Sequence, residues 1–180
     1  DHQGALQVHR EAADLARHAK GTHLPTALAA VVVDAVSLGH LEEAERYLEE
    51  ARLALDQSET RLDFPEEVAY AEGRLLLASG HPGGAQDAAE RLAELAGGEA
   101  RHWHVPALLL WADAASALGD HPAATARYLE AVEQVEQREQ LPALWRALAG
   151  LAEAQRALGR SDDATASARR AREIIERLAA

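Results

Sequence analysis

Apolar residues recur along this chain at spacings of three and four, in segments broken at a regular beat. Leu41, Ala44, Leu48, Ala51 and Leu55 form one stripe, the pattern of an amphipathic helix. Leu108, Leu109, Trp111, Ala112, Ala115 and Leu118 form a wider one, as expected of a helix covered on two sides. The breaks are Gly39, Gly80, Gly119 and Gly159, which lie 41, 39 and 40 residues apart. Each glycine closes one segment and is followed within a few residues by the next. Pro25, Pro65, Pro106 and Pro142 stand near the starts of the segments that lead to a glycine. Proline suits the first turn of a helix and glycine the position just past its end. The punctuation predicts first helices over 24–38, 65–79, 106–118 and 143–158. Second helices are predicted over 41–57, 83–96, 122–138 and 162–178, with polar connections at 58–64, 97–105 and 139–142. A leading helix over the first twenty residues carries Leu6, Ala12, Ala13, Leu15, Ala16 and Ala19.

A fixed period of about 40 residues means a stack of repeats, each a helical hairpin. Composition agrees. Apolar residues make up 48% of 180 residues but aromatics only 4%, so the cores are built from Ala and Leu, strong helix formers. A β-sandwich or barrel would need far more aromatic and β-branched residues.

Within the hairpins, Ala44, Leu48 and Ala51 follow Gly39 by five, nine and twelve residues. Ala124, Tyr128 and Ala131 follow Gly119 in the same way, and Ala164, Ala168 and Ala171 follow Gly159. After Gly80 only Ala85 keeps the pattern; Gly73, seven before that turn, is the small residue of its first helix. This spacing resembles the tetratricopeptide repeats, in which small residues let the paired helices approach and a bulky one fills the gap to the next hairpin. The period is longer than that family's usual 34 residues, and the aromatic signature of the first helix is mostly replaced by Leu and Ala. Long Ala/Leu/Arg-rich repeats are similar to the sensor arrays of bacterial signalling ATPases and of LuxR-type or maltose-regulator-like transcription factors. The resemblance implies an all-α fold, a right-handed superhelical array of antiparallel helix pairs forming a single repeat domain over 1–180. Residues 1–20 would be the second helix of a truncated repeat, followed by hairpins at 22–58, 62–98, 103–139 and 142–180.

Charge narrows the partners. The net charge is −12 with a single lysine, Lys20, whereas a nucleic-acid surface needs clustered Lys and Arg. Nucleic acid and anionic membranes are therefore not expected partners of this chain, and no apolar run approaches a membrane span. Cysteine is absent, which fits a reducing, cytoplasmic setting. Methionine is absent too, so the chain is expected to be a piece of a longer protein.

No phosphate-binding loop, HExxH, GxSxG or calcium loop is present. Paired carboxylates such as Glu42–Glu43 and Glu49–Glu50 fit solvated helix faces better than acid–base chemistry. His40, His81 and His121 recur at turns in successive layers about 8–10 Å apart, too far to share one ion. His102 and His104 supply only two ligands. The expectation is no enzyme, no metal and no cofactor.

The resemblance implies that first helices line a concave face that takes a protein or peptide. Phased from the glycines, that face comprises Thr26, Ala29, Val33, Val36 and Ser37; Glu67, Tyr70, Arg74 and Leu77; Leu109, Asp113 and Ser116; and Arg146, Ala149, Glu153 and Arg156. Of these, Glu67, Tyr70, Arg74, Asp113, Arg146, Glu153 and Arg156 are the expected partner-binding residues. The implied function is a protein-interaction scaffold within a multidomain regulator. The alternative is a small-molecule inducer sensor of a transcriptional regulator. The array also shows no polar caps: Leu6, Ala13 and Leu15 at one end, and Ile174, Ile175 and Leu178 at the other, are expected to form apolar patches that favour self-association.

Overall fold

The helices that the glycine beat predicts are all present, and the beat itself has a structural cause. The computed structural model describes residues 2–19, 23–57, 64–97, 102–136 and 140–179. Among the described residues there are nine α-helices and no strand. They are α1 (His2–Ala19), α2 (Leu24–Ser37), α3 (Leu41–Asp56), α4 (Pro65–Ala78), α5 (Pro82–Leu95), α6 (His104–Ala117), α7 (His121–Glu136), α8 (Leu141–Ala157) and α9 (Ser161–Ala179). Helix ends fall within about two residues of their expected places. Of the predicted connections, residues 58–63, 98–101 and 139 lie outside the described residues.

Each hairpin turn is closed the same way. Gly39, Gly80, Gly119 and Gly159 have φ of 76°, 77°, 81° and 74°, left-handed values that glycine adopts without steric cost. At the first turn the Gly39 amide donates to the Val36 carbonyl at 3.1 Å, and the His40 amide donates to the Ala35 carbonyl at 2.9 Å. The other three turns repeat this pair of bonds. This is the Schellman arrangement, which satisfies two carbonyls that the helix end leaves unpaired. The residue after the glycine then opens the next helix: the His40 carbonyl accepts from the Ala44 amide at 3.0 Å. One residue thus ends the first helix and starts the second, which keeps the connection short. His40 and His81 hold these N-cap positions, and His121 is the first residue of α7.

Packing divides the chain into two compact units, residues 1–97 and 98–180. In the first, α1 packs on α2, α2 on α3, α3 on α4 and α4 on α5, and α2 also packs on α4. Its core gathers Leu6, Leu28, Val31, Val32, Ala44, Leu48, Val68 and Leu75 among others. In the second unit α6, α7, α8 and α9 pack in sequence, and α6 also meets α8. Its core includes Leu108, Leu109, Ala124, Tyr128, Ala131, Leu148 and Ile174. Ala44, Ala124 and Ala164 are buried, where small residues permit close helix approach.

The expectations for the chain ends need correction. Leu6 and Ala13 are not on an open patch; they are fully buried in the first core, and Ile174 is buried in the second. The apolar side chains that do face outward are Val8 (62% exposed) and Leu15 (72%) on α1, and Ile175 and Leu178 on α9. The helical period explains the difference: Leu6 and Ala13 are seven apart on one face, and Val8 and Leu15 are seven apart on another.

Charged pairs hold α1 down beside this core. Arg10 grips Glu43 at 2.6 Å, and Arg17 grips Glu50 at 2.6 Å. Both partners advance by seven residues, two helical turns. Arg17 also lies over the ring of Tyr47, 5.6 Å from its centroid. These hydrogen bonds raise the pKa of both guanidinium groups above the ordinary arginine value. Asp34, the one charged residue of apolar α2, is 7% exposed and meets His9 Nδ1 at 2.7 Å.

Candidate interaction surface

On α4, two sides can be told apart by what each touches. Glu72 is claimed by two neighbours, Arg52 of α3 at 2.9 Å and Arg91 of α5 at 2.7 Å. Glu67, Tyr70 and Arg74 are five residues before, two before and two after it. At about 100° per residue they fall on roughly the opposite side of the helix. All three are half-buried. The Arg74 Nη1 donates to the Tyr70 hydroxyl at 3.1 Å, and its guanidinium lies 5.9 Å from the Tyr70 ring centroid. Glu67 differs: its Oε2 is buried with no hydrogen-bond partner. An unpaired buried acceptor typically costs about 1–3 kcal/mol.

On α2, which packs against α4, Thr26 and Val33 are half-buried and Ser37 is exposed. Thr26 Oγ1 is, like Glu67 Oε2, buried without a partner. Ala29 and Val36, expected on this face, are instead buried in the core. The expected stripe is one helical position too wide on that side. The residue that completes it is Ala30, four after Thr26 and half-buried.

In the second unit the expected residues separate into two groups. Arg146 and Ala149 are half-buried on α8, and Glu153 and Arg156 are exposed and paired with each other at 2.5 Å. Leu109 of α6 is buried and lines the core, not a surface. Asp113, half-buried on α6, is engaged from below: the hydroxyl of Tyr128 on α7 donates to Asp113 Oδ1 at 2.5 Å. Tyr128 is 3% exposed and reaches between α6 and α8 because position 150 of α8 is glycine. A methyl group there would stand 2.5 Å from Tyr128 Cε1 and 2.7 Å from its hydroxyl. Burial, then the Asp113 charge, hold the phenol well above the ordinary tyrosine pKa. Asp113 therefore carries a structural bond as well as a place on the expected face. Only the helix-interior glycine, Gly150, hints at this in the sequence.

The three tryptophans are half-buried. Trp111 packs against the second core and carries Arg127 over its ring at 5.1 Å. Trp145 packs against the same core. Trp103 lies beside His102, the ring centroids 5.6 Å apart. Among the described residues no group of three or more His, Cys, Asp or Glu is placed to hold a metal ion. None of their helices is long and apolar enough to cross a membrane. A hollow of about 490 Å³ opens at the α2–α3 turn, lined by Gly39, His40, Leu41, Glu42, Glu43 and Arg46. It lies at the turn end of that hairpin and includes none of the expected binding residues.

No protein-family model matches this chain, and no curated protein matches it in sequence.

Proposed function

We propose that this chain is a tetratricopeptide-type array, a right-handed superhelix of antiparallel helix pairs, and that it is a protein–protein interaction scaffold. The partner is a peptide or helical segment laid along the first helices of the hairpins, and the chain acts as a cytoplasmic regulatory part of a larger protein. One observation carries the reading. On α4 the side that carries Glu72 is saturated by neighbouring helices, whereas Glu67 on the other side, like Thr26 on the adjoining α2, has a polar atom left unmatched. An unmatched carboxylate beside Tyr70 and Arg74 suits a surface that takes a polar partner. The alternative is a small-molecule inducer sensor, which needs a concavity that encloses its ligand.

The test is selection of binders from a phage-displayed peptide library with the whole chain as bait. Enriched peptides should lose affinity for Tyr70→Ala or for Arg74→Ala with Arg156→Ala, while circular dichroism melting changes little. Peptides that bind all these variants equally would place recognition elsewhere and refute the reading.

A further inference from the structure

From the unmatched groups on α4 we infer that the first unit recognises a segment carrying a basic side chain and an acidic side chain about 10 Å apart. The inference rests on the interaction-surface reading and specifies its partner. Glu67 presents a carboxylate with one oxygen buried and without a donor. The residue is only half-buried, so its remaining surface is open to an approaching cation. Arg74 is bonded to the neutral Tyr70 hydroxyl, and no carboxylate among the described residues forms an ion pair with it. Of the other arginines of this unit, Arg10, Arg17, Arg52 and Arg91 each hold a glutamate, and Arg46 is exposed on α3. An anion and a cation that lack charged partners thus stand seven residues apart on one side of α4.

Seven helical residues rise about 10 Å. A partner helix matches that distance with charges seven positions apart, and a polyproline II segment, with three residues per turn, with charges three apart. Tyr70 lies between the two charges along α4 and carries the Arg74 guanidinium against its ring. On α2, which packs against α4, Ala30 and Val33 are half-buried apolar residues, and Thr26 adds one unpaired hydroxyl near the start of the helix. The fitting partner is amphipathic: apolar toward α2, basic at Glu67 and acidic at Arg74. Charge complementarity of this kind fixes register and direction. A segment with the two charges exchanged would set like against like at both places.

The experiment is the library selection read for sequence. The expected consensus pairs Lys or Arg with Asp or Glu at a spacing of seven or three. Glu67→Gln, nearly isosteric, should weaken the consensus peptide about tenfold or more with an unchanged melting curve. Selection on Glu67→Lys with Arg74→Glu should return the two charges in exchanged order. Where that double variant does not fold, Arg74→Gln serves: it should abolish the preference for the acidic position and leave the basic one. Binders that require Tyr70 but show no charge pair, or whose charge order does not exchange, overturn this inference and leave the interaction surface standing. Binders indifferent to Tyr70, Glu67 and Arg74, or no enriched peptide at all, overturn both.

Discussion

Gly150→Ala should destabilise this protein, although it places the best helix former in the interior of a helix. In an unobstructed helix the exchange gains about 1 kcal/mol. At α8 the new methyl group would meet the ring of Tyr128, 2.5 Å from Cε1 and 2.7 Å from the hydroxyl. The ring is 3% exposed, so it has no free volume to move into. Overpacking of this kind costs about 1–3 kcal/mol. Displacing the ring also breaks its bond to the Asp113 carboxylate, worth about 1.5–3 kcal/mol for a charged acceptor. The net expectation is a loss near 3 kcal/mol, which for a chain of this size lowers the melting temperature by about 6–12 °C. Urea unfolding followed by circular dichroism and tryptophan fluorescence measures it. A second background isolates the cause. In Tyr128→Leu the obstruction is gone, so Gly150→Ala should now stabilise by about 1 kcal/mol. That change of sign corresponds to a coupling of several kcal/mol between the two positions. A neutral or stabilising Gly150→Ala in the otherwise unaltered protein would refute the argument.

Gly39→Ala should cost about 1–2 kcal/mol from backbone conformation alone, because an added methyl group there meets nothing within 4 Å; a loss above about 4 kcal/mol in urea unfolding would show that the space is not open. The raised pKa of Tyr128 has a fixed sign: its contribution is fully present below pH about 10, the ordinary tyrosine value, and is lost as pH rises beyond it. Stability measured against pH should therefore fall at the alkaline end, and Tyr128→Phe should flatten that fall; equal alkaline loss in both proteins would count against it. Val8→Glu with Leu15→Lys should reduce any concentration-dependent self-association seen by analytical ultracentrifugation without lowering the melting temperature, since both side chains point outward. A fall of many degrees would mean that this face of α1 is packed.

The fold is legible because its punctuation is chemical. A left-handed residue must stand at each hairpin turn, glycine supplies it, and four glycines at one period leave little choice of architecture. The alanines five residues later are legible for a similar reason, since close helix approach admits only small side chains. Surface and core are harder to separate along the first helices. In α2 and α6 nearly every position is apolar, so spacing alone does not say which stripe is covered twice. That is why Ala29, Val36 and Leu109 are expected on a face and are buried. The ends mislead for a related reason: an apolar helix at the start of a chain can still dock on the hairpin after it, as Leu6 does in the core built around α2. Tertiary bonds between distant residues, Tyr128 to Asp113 and His9 to Asp34, leave no periodic trace. Gly150 and the isolated charge of Asp34 are their only signals.

An acidic chain has to distribute few cations among many carboxylates. With 30 Asp and Glu against 18 Lys and Arg, arginines are the scarcer groups, and a chain under pressure only to be stable would place them on the carboxylates least exposed to water. Much of the chain does so: Arg10 and Arg17 bind α1 to α3, Arg52 and Arg91 converge on Glu72, and Arg170 reaches Glu136. Glu67 has no such partner although one of its oxygens is out of water, and two turns along the same side of α4 Arg74 is turned to a neutral hydroxyl. Joining the two within the chain would take only a shift of one of them by three or four residues along the helix, the spacing at which ion pairs form. At seven they are too far apart to satisfy one another. On the reading proposed above, each is kept for a second molecule. On that reading the fitting ligand brings a donor to Glu67 and an acceptor to Arg74, and a ligand that offers the two in reversed order sets like charge against like at both places.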